Sequence, residues 1–365
     1  MRITMNIVTA LVGILTVLSA YAGTIDPRSL PDAAILNMLM PALAPLLLIV
    51  LVLDLLWWRR AAIAAAICLL IALPSILDTY PLNISNDADK IDRSDSLQWS
   101  LLTYNSINLA DLTGKYPGGI NPTLSYILKT DADVVCLQEQ EYMSAHAPFH
   151  ISQAQIDSIT ERYPYIILSC RSQCLLSKFP VQPINAGIPR GSAADGIIAA
   201  YILNISGRRV ALFNVHLHSF ELSADDRELY GDMTRLKGGD STISRMRSDV
   251  LPKIKAAAMA RADEAGALQR MIRKYGGNDV VVCGDFNDVP GCFTLRRLAD
   301  EGMNEVYPET GLGYMRTYNR NRFFFRIDHV LYRGNLKPLN MQRGDLMCSD
   351  HFPLLTTFTF TTDAK

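Results

Sequence analysis

The sequence predicts an α/β domain preceded by membrane-spanning helices, and three observations carry that reading. Short strand-like apolar runs recur between residues 97 and 361, helical patterns lie between some of them, and the first 77 residues hold three uncharged apolar stretches. Strands with intervening helices argue for α/β layering. Of 365 residues 49% are hydrophobic, and the excess sits at the start of the chain. This length accommodates one large domain plus an appendage.

The predicted spans are 3–22, 33–56 and 61–77, together a membrane anchor over residues 1–77. A run of about 20 apolar residues crosses a bilayer as a helix, with about 17 the lower limit. Pro41 and Pro45 interrupt the second run, which a membrane helix tolerates better than one in water. None of the three runs has an amphipathic stripe to face water, which argues against a buried hairpin in a soluble protein. Asp54, near a span end, reads as interfacial.

Basic residues favour the cytoplasmic side and tryptophans the interface. Arg2 precedes the first span, and Trp57, Trp58, Arg59 and Arg60 separate the second from the third, whereas the loop at 23–32 holds Asp26, Asp32 and a single Arg28. The N-terminus and the 57–60 turn then share the cytoplasmic side, and everything after residue 78 lies outside. Ala20-Tyr21-Ala22 also reads as a signal-peptidase site. Cleavage there would leave two spans and the same external domain.

Residues 78–96, rich in Asp, Asn and Ser, read as a linker, and 97–365 as the catalytic domain. Strand-like runs fall at 97–104, 133–138, 164–169, 196–204, 209–215, 279–284, 326–332 and 353–361. The clearest helix covers 250–275, where Leu251, Ile254, Ala258, Ala262, Leu268 and Ile272 recur at roughly helical spacing. A second follows the Pro117-Gly118-Gly119 turn, from Thr123 to Leu128. Beyond the anchor, basic and acidic residues nearly balance, so net charge makes no case for long nucleic acid. Cys136 and Cys283 lie in apolar runs and read as buried thiols. Cys170 and Cys174 are spaced for a short-loop disulfide, and no zinc spacing is present.

Six polar motifs follow or end the apolar runs: Thr103-Tyr104-Asn105, Leu137-Gln138-Glu139, Asn214-Val215-His216-Leu217, Gly284-Asp285-Phe286-Asn287-Asp288, Arg326-Ile327-Asp328-His329 and Ser349-Asp350-His351. Asp285, Asp328 and Asp350 each come at or just past a strand-like run, the usual place for a site in α/β folds. Carboxylates, amides and imidazoles brought together this way are the chemistry of a divalent-metal phosphoester hydrolase.

In this order the motifs resemble those of the endonuclease/exonuclease/phosphatase family, the superfamily of pancreatic deoxyribonuclease, over about residues 97–361. The resemblance implies a four-layer sandwich of two facing mixed β-sheets flanked by helices. Three spans ahead of such a domain also resemble the membrane-anchored bacterial members, which implies an inner-membrane protein with a periplasmic or otherwise extracytoplasmic domain. By the same resemblance Glu139 is the main ligand for Mg²⁺ or Mn²⁺, helped by Asn105, and Asp350 contributes to the metal region. Hard oxygen donors suit these ions. Asp285 orients or deprotonates the attacking water and Asn287 holds a phosphate oxygen. His351 contacts the scissile phosphate with Asp328 as its partner, and His216 binds phosphate or protonates the leaving oxygen. His218 faces the same way as His216 if the strand continues. His329 reads as a neighbour, Lys178 as a surface residue, and Cys292 stands where the family usually has serine.

Residues 219–249 read as a solvated insertion or as a substrate lid whose basic residues take a second phosphate. Tyr314, Thr317, Tyr318 and Phe323 to Phe325 form a second candidate rim. The expected substrate is a phosphoester, small or lipid-linked. The alternatives are a nonspecific external nuclease and, further off, a non-catalytic tethered binding protein. Oligomeric state is open.

Overall fold

The computed structural model describes residues 2–57, 59–84, 87–115, 120–141, 151–169, 172–184, 195–235, 239–320 and 324–361. Its strands are β1 (Gln98–Asn105), β2 (Val134–Gln138), β3 (Tyr165–Ser169), β4 (Gln173–Ser177), β5 (Val181–Pro183) and β6 (Ile198–Ile205), followed by β7 (Arg208–His216), β8 (Asp279–Asp285), β9 (Asn304–Glu305), β10 (Asp328–Arg333), β11 (Leu336–Arg343) and β12 (Leu354–Phe360). They form two six-stranded mixed sheets, ordered β11-β12-β1-β2-β4-β3 and β5-β6-β7-β8-β10-β9.

Successive strand residues point to opposite faces, and here both faces are covered. Leu101, Val134, Cys136 and Leu175 of the first sheet meet Tyr201, Leu212, Val281, Cys283 and Val330 of the second. Their neighbours Leu102, Val135, Leu137 and Leu176 pack outward on Leu124 and Ile127 of α5 (Pro122–Thr130) and Ile159 of α6 (Gln153–Arg162). Ala211, Phe213, Val280 and Val282 do the same on Leu268 and Ile272 of α9 (Leu251–Tyr275) and Leu295 and Leu298 of α10 (Phe293–Ala299). The result is helix, sheet, sheet, helix: the four-layer sandwich. Strands covered on both faces read as continuous apolar runs, as β2 and β8, buried throughout, do. Asn121 starts α5 by accepting the backbone N–H groups of Thr123 and Leu124.

Strand direction places the polar motifs. β1 pairs parallel with β2, and β7 with β8, so the C-terminal ends of each pair coincide, and His216 sits opposite Asp285. β10 runs antiparallel to β8 and puts Asp328 opposite Asp285. Asp328 therefore opens its strand rather than ending one; antiparallel pairing brings that opening end to the same edge.

At the N-terminus, Ile3–Ala22, Met40–Trp57 and Arg60–Thr79 are helices long and apolar enough to cross a membrane. They lie in α1 (Arg2–Ala22), α3 (Met40–Trp57) and α4 (Arg59–Thr79). Large apolar side chains such as Leu11, Ile49 and Leu70 are exposed on them, a surface suited to lipid. The second apolar run is divided: α2 (Asp32–Asn37) is a separate short helix seated on α9, and the long helix begins only at Met40. Asp54 is buried against α1, its Oδ2 accepting the Thr9 hydroxyl at 2.7 Å. Its helix face thus turns toward a hydroxyl on the neighbouring helix, three residues before the helix ends at Trp57.

The N-terminal apolar helices and the sandwich are bonded to one another. Arg296 donates to the Ala20 carbonyl at 3.0 Å, Lys255 pairs with Asp32 at 2.6 Å, Arg28 with Asp263 at 2.8 Å, and Arg326 donates to the Asp78 carbonyl at 2.5 Å. The 78–96 segment also lies along the domain. Leu82 bridges to Leu312, Asn83 donates to the Gly311 carbonyl at 2.9 Å, and Asp87 pairs with Lys337 at 2.6 Å.

The described residues of the 219–249 region are largely helical and mostly exposed. They form α7 (Ala224–Thr234), α8 (Asp240–Arg245) and a π-helical turn (Met246–Val250) running into α9. Leu222, Leu229, Met246 and Val250 pack with Ile254, Val289 and Met38, apolar positions masked in sequence by the charges between them. Cys136, Cys174 and Cys283 are buried free thiols, and burial drives Cys136 well above the ordinary thiol range. Cys170, Pro117 to Gly119 and Phe323 lie outside the described residues.

Candidate active site

Asn105 ends β1 and donates its amide to Glu139 Oε1 at 3.0 Å and to Asp285 Oδ2 at 3.1 Å. The second of these bonds crosses from one sheet to the other. Glu139 follows β2 with φ +52, and its carbonyl accepts the Asn108 N–H at 2.5 Å. A left-handed backbone at a glutamate is costly and survives where the surroundings over-determine it; here it turns the carboxylate into the cleft.

Asp285 is the centre. It is buried, with His216 Nε2 at 3.8 Å and His351 Nε2 at 3.5 Å from its Oδ2, while its Oδ1 accepts the Asn287 N–H at 2.8 Å. Burial raises its carboxyl above the ordinary range and Asp328 adds to this, whereas His351, His216 and the Asn105 amide oppose it. Asn287, also left-handed at φ +50, spends one amide hydrogen on the Leu217 carbonyl at 2.9 Å.

Gly284 makes this turn. Its φ is +136, and a Cβ there would lie 2.0 Å from the Val215 carbonyl oxygen. We expect Gly284→Ala to lower stability by about 2–5 kcal/mol, the sum of backbone strain and overpacking. A denaturation midpoint equal to wild type would contradict this.

His351 Nδ1 lies 2.8 Å from Asp328 Oδ2, and both residues are buried. Burial alone would push the imidazole down, but Asp328, Asp285 and Asp350 outweigh it and raise it to about 10. With no metal bound, these carboxylates favour the imidazolium form of the ring at neutral pH. Ser349 fixes this loop: its hydroxyl donates to the Asn105 carbonyl at 2.7 Å and accepts the His351 N–H at 3.2 Å. Thr317 accepts the backbone N–H groups of Ile327 and Asp328 at 2.9 and 3.1 Å. His216 and Asp350 complete the pocket wall with Glu139, Asp285, Asn287 and His351.

The residues flanking the motifs divide between the pocket and its surroundings. His218 is absent from the pocket wall and points to Glu221 and Glu264, at 3.7 and 3.9 Å. His329 is buried on the outer side of its strand, between Glu305 Oε1 at 2.7 Å and the Asp288 carbonyl at 2.9 Å. Lys178 pairs with Asp131 and Asp133 away from the site. Tyr318 and Phe325 line the pocket, Tyr314 instead bonds to the Phe324 carbonyl, and Cys292 is the buried residue that opens α10.

Two supports had no role assigned from sequence. Gln138 donates to Asn214 Oδ1 at 2.7 Å, a buried amide pair tying β2 to β7 beneath the site. Arg261, fully buried on α9, donates to Asp288 Oδ2 at 3.1 Å and to the His218 carbonyl at 2.9 Å. A charged residue in line with Ile254, Ala258, Ala265 and Leu268 was the available signal. Removing one partner of a buried pair is strongly destabilising, so Arg261→Ala should cost about 3–5 kcal/mol. A urea melt showing no change would refute that role.

The donor set fits a divalent cation. Ligand atoms of Asp285, Asp328 and His351 lie within 4.8 Å of one another, the imidazole able to ligate only once it has given up a proton, and the Glu139 carboxylate and the Asn105 amide stand beside Asp285. Hard oxygen donors around a buried carboxylate that its cationic neighbours do not fully compensate are what such an ion requires.

An endonuclease/exonuclease/phosphatase family model matches residues 112–351, and a second model, a domain of unknown function (DUF8431), matches residues 2–79. No curated protein matches the chain. Similar solved structures include truncated Caenorhabditis elegans TDP2, at 17% identity over 73% of this chain and 99% of that one, with a TM-score of 0.40. Another is an endonuclease/exonuclease/phosphatase family protein from Leptotrichia buccalis, at 14% identity over 72% and 100%, TM-score 0.46. The human Nocturnin catalytic domain with bound sulfate is 18% identical over 73% and 95%, TM-score 0.46. With the family model covering most of the sandwich, and the acidic and histidine cluster of a metal-dependent phosphoester hydrolase in place, the chain belongs to the endonuclease/exonuclease/phosphatase family.

Proposed function

We propose that this chain is a Mg²⁺-dependent phosphoester hydrolase anchored in a bacterial inner membrane, with residues 1–77 as anchor, 78–96 as connector and 97–365 as an extracytoplasmic catalytic domain. The observation that carries the reading is the convergence on Asp285 of Asn105, His216 and His351, drawn from both sheets. Glu139, Asn105 and Asp350 would hold the ion, which when bound supplies charge neutralisation at the phosphoryl oxygens. Asp285 takes the proton of the attacking water, and the water oxygen forms its bond to phosphorus in line with the bond that breaks. Asn287 donates to a non-bridging oxygen. The proton that the leaving oxygen needs comes from His216 or from the Asp328-supported imidazolium of His351. Orientation is supported by Arg2, Trp57 and Arg60 at the end of the anchor opposite the contacts of Ala20, Asp32 and Asp78 with the sandwich.

Full-length protein in detergent should release product from bis- and mono-p-nitrophenyl phosphate, inositol phosphates or sphingomyelin only when Mg²⁺ is present. Chelator-insensitive turnover would overturn the metal assignment. Plasmid cleavage without turnover of small or lipid phosphoesters would make the protein a nuclease instead.

A further inference from the structure

The pocket beyond the catalytic carboxylates has two features that the hydrolytic reading does not use. Arg227, from α7, is the one Lys or Arg lining the pocket among the described residues, and no carboxylate there pairs with it. It shares the pocket wall with Glu139, Glu221, Asp285 and Asp350 and with the two histidines beside them, His216 and His351. Beside it Phe220, Leu222 and Phe325 give the pocket an apolar side. Those three side chains belong to a packed cluster that reaches Ile35 and Met38, the end of the short helix joining the first two apolar helices. Met38 is two residues from the start of the second of these at Met40. The apolar side of the pocket is therefore within a few side-chain contacts of the start of the second apolar helix.

The cavity measures about 140 Å³, below the roughly 300–1,000 Å³ of sites that enclose a whole small molecule. It admits a headgroup and leaves the rest of the substrate outside. A polynucleotide backbone needs several cations along its track, and beyond the histidines at the catalytic carboxylates this pocket offers one, Arg227.

We propose that the substrate is a lipid phosphoester of the anchor's own leaflet, its second anionic group held by Arg227 and its glycerol-proximal part laid against Phe220, Leu222 and Phe325. This rests on the hydrolase reading above. Water adds to the scissile phosphorus, the P–O bond to the leaving group breaks, and that oxygen takes a proton. No other co-reactant is consumed.

The test uses full-length protein reconstituted in phosphatidylcholine vesicles containing phosphatidylinositol 4-phosphate. Soluble inositol 1,4-bisphosphate, bis-p-nitrophenyl phosphate and plasmid DNA are assayed in parallel. The expected kcat/KM for the vesicle-borne substrate exceeds that for the soluble bisphosphate by at least about 10-fold. Arg227→Gln should lower it by about 10–100-fold, the loss of one charge-assisted contact, and lower bis-p-nitrophenyl phosphate turnover far less. Arg227→Lys should recover part of the loss, and Phe325→Ser should fall on the vesicle substrate more than on the soluble one. Arg235→Ala, in the same insertion but off the pocket wall, should match wild type on both. Equal loss on every substrate, equal rates on lipid and soluble bisphosphate, or DNA cleavage with vesicles untouched would each overturn the proposal while leaving a working hydrolase. Wild-type protein inert toward bis-p-nitrophenyl phosphate with Mg²⁺ would instead sink the hydrolase reading itself.

Discussion

Asp285→Asn is expected to lower kcat for Mg²⁺-dependent phosphoester hydrolysis by about 10²–10⁴-fold, the usual contribution of a general base, while leaving the fold intact. Asparagine has the same shape, and its amide oxygen can still accept the Asn287 N–H that Asp285 Oδ1 accepts at 2.8 Å. What it cannot do is take a proton from water. The stability side separates this from a folding defect. Burial already raises the Asp285 carboxyl, so the ionised form is strained in the folded protein, and a neutral isostere removes that cost. Against that gain, the amide nitrogen replacing Oδ2 meets the Asn105 amide that donates to it at 3.1 Å, so the melting temperature of metal-free Asp285→Asn should stay close to that of wild type even as turnover collapses. Activity within a few-fold of wild type would show that the chemistry is elsewhere. Lost activity with a lowered melting temperature would mean that the carboxylate is structural.

The sandwich was legible because its strands are covered on both sides and so read as unbroken apolar runs, each closed by a polar residue at the shared edge. Asn105, His216 and Asp285 are such closing residues, and Glu139 lies one step beyond its strand; parallel pairing within each sheet is enough to gather them. Asp328 was placed at the right edge for a different reason than its position suggested, since only antiparallel pairing brings the start of β10 to the end of β8. Less legible were partners remote in sequence whose contacts depend on three-dimensional packing. Nothing near Asp288 in the chain announces Arg261, and nothing near Gln138 announces Asn214. The 219–249 region was obscured because its apolar residues are few and widely separated by charge, so the helices become visible only against Met38 and Val289. The second apolar run hid its break for the opposite reason: Ala33 to Leu39 are as apolar as the helix that follows, and only contact with α9 distinguishes them.

Asp328→Asn tests the other half of the site. In wild type, Asp328, Asp285 and Asp350 face His351 and lift it from an ordinary value of about 6.5 to about 10. A group raised on folding stabilises the folded state fully below its unfolded value, and that contribution disappears as pH climbs through the folded value. The metal-free protein should accordingly lose thermal stability between about pH 6.5 and pH 10. In Asp328→Asn the strongest support of the imidazolium is gone, His351 titrates nearer neutrality, and this slope should flatten. Catalysis should suffer as well, by about 10²–10⁴-fold in kcat near neutral pH, because Asp328 both holds the ring at 2.8 Å and keeps it charged. The basic limb of the rate profile should move toward neutral pH. A variant with lowered kcat but an unmoved limb would mean that His351 is oriented by Asp328 without depending on it for its proton.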